Sequence, residues 1–97
     1  MTNLLDYKQI NKTECKKVLN SLKNIAKKNP NLAGFSSRLE KNNRGDYGYN
    51  DLYVYEDNIF LIVSFDGGRI DIHYYISPHL DIIMDCMKTN SKKHLHL

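Results

Sequence analysis

Two apolar segments on either side of a glycine pair constrain the fold of this chain more than any other feature. Ile59 to Phe65 and Ile70 to Ile76 flank the sequence Asp66-Gly67-Gly68-Arg69. Because glycine readily adopts the positive φ of tight hairpin turns, the pattern predicts an antiparallel hairpin. With Gly67-Gly68 as the loop, one face pairs apolar and aromatic residues: Phe65 with Ile70, Val63 with Ile72, Leu61 with Tyr74 and Ile59 with Ile76.

A third strand is predicted immediately before this hairpin. From Tyr47 to Tyr55 every second residue is a tyrosine or Asp51, Leu52 and Val54 lie between the last of them, and the turn-forming pair Asp57-Asn58 follows Glu56. The three strands then form an antiparallel meander whose register is set by its apolar face. The predicted pairs across the first turn are Val54 with Leu61 and Leu52 with Val63.

One amphipathic helix is predicted ahead of the sheet, from Thr13 to Lys28. Thr13 or Asn11 can cap its first turn, and Pro30 ends it because the residue before a proline is displaced from the helical region. The apolar residues recur at three- and four-residue spacing, which places them on one helical face: Cys15, Val18, Leu19, Leu22, Ile25 and Ala26.

A second helix is predicted after the meander. Ser77 is a favoured N-cap, and Pro78 suits the first helical position because its missing N–H would have no partner there. The apolar stripe that follows is Leu80, Ile83, Met84 and Met87.

These elements predict an α+β fold in the order helix, three-stranded antiparallel meander, helix, packed as a two-layer sandwich. Residues 1–88 are expected to form one small domain, and residues 89–97 a flexible C-terminal tail. Asn31 to Asp46 is assigned either to a short helical turn or to an edge strand, and it ends in a loop. Both helices are expected to cover one sheet face: Leu52, Val54, Leu61, Val63 and Ile72.

The opposite sheet face follows from the two-residue period of a strand. It is expected to be open, acidic and rich in tyrosine, and exposed aromatic patches tend to mark interfaces. Three other arrangements stay open: the second helix covers the face, a homodimer buries it, or the tyrosine hydroxyls tolerate water. The candidate protein-binding residues are Tyr47, Tyr49, Asp51, Tyr53, Tyr55, Asp71, His73 and Tyr75.

The charge of the chain is unevenly distributed. Residues 45–87 hold eight acidic residues and one base, Arg69, whereas residues 1–44 carry a balance of +7 and residues 88–97 of +3. Acidic side chains among the tyrosines repel phosphates, so the predicted partner is a protein with a basic surface, for which these carboxylates compete with nucleic acid. The expected function is non-catalytic docking, as an inhibitor or regulator of a nucleic-acid-handling machine. Heavy use of Lys, Asn, Ile and Tyr is typical of an AT-rich genome, such as that of a low-GC bacterium or its phage. A small stand-alone domain with this inhibitory or regulatory role is expected in a phage or mobile element.

Nucleic-acid binding is the first alternative function. The outer face of the first helix carries the lysines that would contact phosphates: Lys16, Lys17, Lys23, Lys27 and Lys28. A solvated helix face is the other explanation for these lysines. The order of helix, three strands and helix resembles the layout of double-stranded RNA-binding domains, although the second helix begins with Ser77-Pro78-His79-Leu80-Asp81 and not with a lysine cluster.

Ribonuclease activity is the second alternative. His73 shares a predicted face with Asp71 and Tyr75, and histidine is an acid or base near neutral pH; the other candidates are Arg69 and His79. A lysine-rich helix followed by a small antiparallel sheet resembles the RelE-type ribonuclease toxins, which implies RNA cleavage. No strand is recognised ahead of the helix, and no row of arginines and lysines follows the sheet. A lone strand histidine is more typical of a structural role, so no catalytic residue is assigned and the protein is predicted not to be an enzyme.

No cofactor or metal site is expected. Cys15 and Cys86 lie on apolar helical faces and are predicted to be buried, reduced thiols. His94 and His96 lie in the predicted tail without further ligands nearby in the sequence. No apolar run reaches the length of a membrane span, and Met1 to Ile10 lacks the pattern of a secretory signal, so a cytoplasmic protein without membrane contact is expected.

Overall fold

The computed structural model describes residues 6–41, 48–66 and 71–89, which form two helices and one five-stranded sheet. In chain order the elements are β1 (Lys8–Ile10), α1 (Lys12–Lys28), β2 (Phe35–Lys41), β3 (Tyr49–Tyr55), β4 (Asn58–Asp66), β5 (Asp71–Ile76) and α2 (Leu80–Thr89). The strands are ordered β1-β5-β4-β3-β2, and every neighbouring pair is antiparallel. The predicted α+β class with an antiparallel sheet is confirmed, but the predicted three-stranded meander is only the centre of a larger sheet.

Both predicted helices are present, and α1 follows its predicted capping signals, whereas α2 begins at Leu80, two residues after the predicted first helical position Pro78. The Asn11 side chain accepts a hydrogen bond of 2.8 Å from the Glu14 N–H at the start of α1, which ends ahead of Pro30. Ser77 Oγ accepts a hydrogen bond of 3.1 Å from the His79 N–H just ahead of α2. A capping side chain satisfies a donor that the first helical turn leaves without a partner, so Asn11 sets the start of α1, while Ser77 stabilises the turn that leads into α2.

The two edge strands are the part of the sheet that sequence patterns did not predict. β2 realises the edge-strand alternative for residues 31–46, whereas β1 corrects the expectation that no strand precedes α1. β1 has three residues, which is too short to show a two-residue period. In β2, every side chain after Phe35 is exposed, so its sequence has no buried face that would produce alternation.

The β3–β4 hairpin turns one residue earlier than predicted. Glu56 and Asp57 occupy the two central positions of the turn with φ of 48° and 66°, and Tyr55 pairs with Asn58 across it. Positive φ at both central positions characterises the type I′ turn, whose twist matches that of the flanking strands. The loop is therefore Glu56-Asp57 and not the predicted Asp57-Asn58.

A β-bulge at Phe60 then changes which side of β3 faces the helices. Val54 pairs with Ile59 but Tyr53 pairs with Leu61, so Phe60 is an extra residue in β4. Leu61 therefore pairs with Tyr53 and not with Val54 as predicted, an error of one residue in β3. Because strand side chains alternate between faces, a change of one residue exchanges the two faces of β3.

The β4–β5 pairing keeps the predicted faces but slides along the strand by two residues. Val63 pairs with Tyr74 instead of Ile72, and the other pairs shift in the same way. A shift of two residues leaves the alternation of side chains unchanged, so β5 and the part of β4 after the bulge present the predicted residues to the helices, whereas Ile59 and Phe60 exchange faces. The predicted loop residues Gly67-Gly68 lie outside the described residues.

Both helices pack on one side of the sheet, which we call the helix-side face; the other side is the second face. The main core combines buried residues of the helices and the helix-side face: Ile10, Cys15, Leu22, Ile25, Tyr55, Phe60, Leu61, Val63, Ile83, Met84 and Met87. A smaller cluster on the second face consists of Leu52, Val54 and Ile62, packed by Tyr7, Ile59 and Tyr75. Leu52 and Val54, which were predicted to lie under the helices, are therefore on the opposite side.

Candidate functional site

The predicted tyrosine-rich surface does not form a single face. Tyr53 and Tyr55 pack in the helix-side core, where Tyr55 is only 2% exposed. By alternation along β3, Tyr49 and Asp51 lie on the same side of the sheet. Tyr47 lies outside the described residues. The β3 part of the predicted surface is thus beside or beneath the helices.

The β5 part of that surface lies on the second face. Tyr75 packs in the second-face cluster, and Asp71 and His73 share its side by alternation. Asp51 and Asp71, which together would have made one surface acidic, are therefore on opposite sides of the sheet. The bulge at Phe60 is the cause, because it exchanges the faces of β3 but not those of β5.

A groove separates α1 from the outer strands of the helix-side face, and we call it the α1–β2 groove. It has a volume of about 540 Å³ and is lined by Lys16, Leu19, Asn20, Leu22, Lys23, Ala26, Phe35 and Tyr53. The ring centroids of Phe35 and Tyr53 lie 6.4 Å and 6.3 Å from that of Phe60 in the core. The floor of the groove is therefore aromatic and is held in place by the main core.

Four exposed lysines follow the side of α1 that borders this groove. At about 100° per residue they fall within about 60° of arc on the helix surface, and they are Lys12, Lys16, Lys23 and Lys27. Of the other lysines predicted to bind nucleic acid, Lys17 and Lys28 project from a different side of the helix. The predicted lysine set is therefore divided, and only part of it borders an apolar surface.

Sequence patterns missed the α1–β2 groove because its two sides come from segments that no local pattern relates. Leu19 and Ala26 do lie at the margin of the predicted apolar stripe, next to the lysines. Apolar residues at the edge of such a stripe are often only partly covered, so these two residues were the one local sign of an exposed apolar surface on α1. Phe35 and Tyr53 form the other side of the groove, and their positions depend on where β2 lies and on the bulge in β4.

Three groups in the core have their pKa values raised by the fold. Burial, followed by the nearby Asp51 carboxylate, raises the pKa of Tyr53 above its ordinary value of 10.0. Burial and then Glu56 raise the pKa of Tyr55, and burial raises the pKa of the Cys15 thiol. The folded state therefore favours the neutral form of each group.

We expect the protein to lose stability as the pH rises through about 10, the ordinary pKa of tyrosine. The unfolded chain releases the Tyr53 and Tyr55 protons at the ordinary pKa, whereas the folded chain keeps them to a higher pH, so the stabilisation from these two tyrosines is complete below about 10 and decreases above it. Urea unfolding at a series of pH values measures how steeply the free energy of unfolding falls as the pH rises above about 10. Asp51→Asn should make it shallower, because it removes one cause of the Tyr53 shift; an unchanged slope would contradict the role of Asp51.

The residues considered for catalysis lie on the second face and ahead of α2. The Gln9 side-chain amide lies 3.3 Å from His73 Nδ1, and Asp71 is exposed on the same strand. His79 donates its backbone N–H to Ser77 in the turn before α2, and Arg69 lies outside the described residues. The structure therefore does not bring His73 and His79 together.

Basic side chains of the described strands are confined to the two edges of the sheet. β1 contains Lys8 and β2 contains Arg38 and Lys41, whereas β3, β4 and β5 contain no lysine or arginine. β1 does supply a strand ahead of the helix, as a RelE-type toxin would have. The central strands nevertheless provide no row of cations for RNA.

Both cysteines are free thiols, with Cys15 buried and Cys86 partly buried. Within residues 6–41, 48–66 and 71–89, no three His, Cys, Asp or Glu residues come together as a metal site. Neither of the two described helices is long and apolar enough to cross a membrane. Comparison of the chain with protein-family models, with curated proteins and with solved structures found no match.

Proposed function

We propose that this protein is a non-catalytic docking protein whose α1–β2 groove binds an acidic, amphipathic segment of a protein partner. One observation carries the proposal: an apolar groove with an aromatic floor is bordered by four exposed lysines on one side of α1. Protein interfaces commonly combine aromatic contacts at the centre with polar or charged groups at the rim.

The floor of the groove supplies apolar contacts for a partner. Leu19, Phe35 and Tyr53 are half-buried, so part of their apolar surface still faces solvent. Phe35 and Tyr53 already contact the fully buried Phe60 ring, which restricts their motion before any partner arrives. Such preorganisation lowers the entropy lost on binding.

The lysine side of α1 determines the charge of the partner. Lys16 and Lys23 line the groove itself, while Lys12 and Lys27 continue the same side of the helix towards its two ends. Charges at the rim of an interface add association rate and specificity, and salt weakens their effect. The partner segment should therefore carry acidic residues beside its apolar anchors, and its binding should weaken as ionic strength rises.

The inhibitory or regulatory role expected from the sequence depends on which protein the groove binds. We propose that the partner belongs to a nucleic-acid-handling machine in the cytoplasm of a cell that carries a phage or mobile element. The free thiols of Cys15 and Cys86 fit a reducing compartment. Asp51 and Asp71 lie on opposite faces of the sheet, so they do not form one acidic surface that imitates phosphates.

Filling the groove should prevent docking. A pull-down with the wild-type chain first identifies the partner. Ala26→Glu introduces a longer, acidic side chain at an exposed helical position in the groove wall, and we expect it to weaken binding of that partner by about tenfold or more. Ser21→Glu adds the same charge at an exposed α1 position outside the groove and is the matched control. Titration calorimetry with the identified partner measures both affinities, and circular dichroism checks both folds. Equal affinities for the two folded variants would exclude the groove as the docking site.

Nucleic acid is the second candidate ligand, and one observation favours it. The lysines stand beside the aromatic rings of Phe35 and Tyr53, and single-strand-binding surfaces also combine cations for the backbone with aromatic rings for the bases. In this case wild-type protein should shift single-stranded RNA in a salt-sensitive manner, and Ala26→Glu should weaken the shift more than Ser21→Glu. Absence of any shift at low salt would exclude nucleic acid.

A further inference from the structure

The outer edge of β2 is unpaired among the described elements and strongly exposed. β2 pairs with β3 on one side only, at the end of the sheet order. Every side chain from Ser36 to Lys41 is exposed, and Leu39, at 68%, is the most exposed large apolar residue of the described chain. An edge strand of this length is a template for pairing with another strand.

The hydrogen bonds of β2 show which of its backbone groups point outward. The Glu56 N–H donates to the Gly34 carbonyl over 2.8 Å, and these two residues continue the β2–β3 register, in which Phe35 pairs with Tyr55. In an antiparallel ladder, hydrogen-bonded pairs alternate with pairs that do not exchange hydrogen bonds. It follows that Ser37, Leu39 and Lys41 direct their backbone N–H and C=O groups away from β3.

We propose that two copies of the chain pair through β2, antiparallel and about a two-fold axis, with Leu39 opposite Leu39 of the second copy. Leu39 and its counterpart then form a hydrogen-bonded pair, and Ser37 of each copy pairs with Lys41 of the other. The two sheets join into one continuous sheet with all helices on the same side. The apolar surface of Leu39 is covered at the centre of the contact.

Charge complementarity selects this register among the symmetric alternatives. With Leu39 at the axis, Arg38 lies directly opposite Glu40 of the second copy, and this occurs twice. Sliding the strands by one residue in either direction along each copy places Arg38 opposite Arg38, or Glu40 opposite Glu40, of the second copy. Opposite charges in a cross-strand pair are stabilising and like charges are destabilising. Arg38 Nε and Glu40 Oε1 are 2.8 Å apart within one chain, so the dimer extends an existing ion pair into a four-residue network.

This contact is separate from the proposed docking groove. The groove contains Phe35, which is four residues and therefore about 13 Å along the strand from Leu39. Dimerisation and docking can occur together, and either proposal can fail without the other.

Charge reversal provides the test. Arg38→Glu places glutamate opposite Glu40, and Glu40→Arg places arginine opposite Arg38, at both ends of the contact; each variant should weaken the dimer by about tenfold or more. Mixed in equal amounts, the two single variants restore both opposite-charge pairs and should form a heterodimer at about wild-type affinity. Sedimentation velocity over a concentration series measures each association.

Sedimentation velocity also provides the control for a general effect of charge. Lys17→Glu makes the same change in net charge as Arg38→Glu at an exposed α1 position and should dimerise like wild type. A wild-type chain that stays monomeric at millimolar concentration would overturn the proposal, because the charged edge would then serve only to prevent pairing. A mixture of the folded single variants that associates no better than either variant alone would overturn the register.

Discussion

Truncation of Phe60 to alanine is expected to destabilise the protein by about 3–5 kcal/mol, the usual range for a buried phenylalanine. Phe60 is completely buried, and its ring contacts those of Phe35 and Tyr53. Regular alternation would place it on the second face with Ile62, but the bulge turns it into the main core. Its removal leaves a cavity between the sheet and α1 that the two remaining rings fill only in part.

Urea unfolding followed by circular dichroism measures this loss. Ile82→Ala is the matched control, because Ile82 is 51% exposed on α2 and its truncation should change the free energy of unfolding by about 0.5 kcal/mol or less. Since small domains have only about 5–15 kcal/mol of total stability, the two midpoints should be well separated. Similar midpoints would contradict the position of Phe60 in the core.

Replacement of Tyr55 by lysine is expected to leave the protein largely unfolded. Tyr55 is 2% exposed beneath the helices, and an unpaired ammonium group at that position costs several kcal/mol in lost hydration. Tyr75→Lys is the matched change on the second face. Tyr75 is half-buried, so a lysine there can lie along the apolar cluster and keep its charge in water, at a cost of about 1–2 kcal/mol.

This pair of variants tests the corrected faces of the sheet directly. The sequence pattern places Tyr55 and Tyr75 on one open face, which predicts similar and small effects. The bulged register places them on opposite sides and predicts a large difference between the two. Thermal unfolding of both variants beside wild type distinguishes these outcomes, and equal midpoints would restore the pattern-based faces.

Local signals predicted the two helices and the three central strands, but not the exact turns and pairings of those strands. The apolar stripe of α1, the Asn11 cap and the Ser77 turn act within a few residues, so their effect is legible in the sequence. β5 and the part of β4 after Phe60 also kept their predicted faces, since a slide of two residues preserves alternation. β1 and β2 were harder to predict because a short or fully exposed strand has no buried face to impose a pattern.

The predicted tyrosine-rich surface was wrong because it required chosen residues of β3 and of β5 to face the same side of the sheet. Tyr53 and Asp71 lie on one face only if β4, the strand between β3 and β5, contains no extra residue. Phe60 is such an insertion, and nothing in the sequence Asn58-Ile59-Phe60-Leu61-Ile62 distinguishes it from a regular apolar run. The bulge is stabilised by the contacts that Phe60 makes in the core, and those contacts form only when α1 and β2 pack beside it.

The amino-acid sequence by itself determined the class of this protein, its two capped helices and the apolar segments that form the centre of its sheet. These follow from interactions between residues close together in the chain. The tertiary structure alone decided which tyrosines are covered, that Asp51 and Asp71 are separated, and that part of the lysine set borders an apolar groove. Each of these depends on packing between distant segments, where an insertion of one residue exchanges the faces of a whole strand.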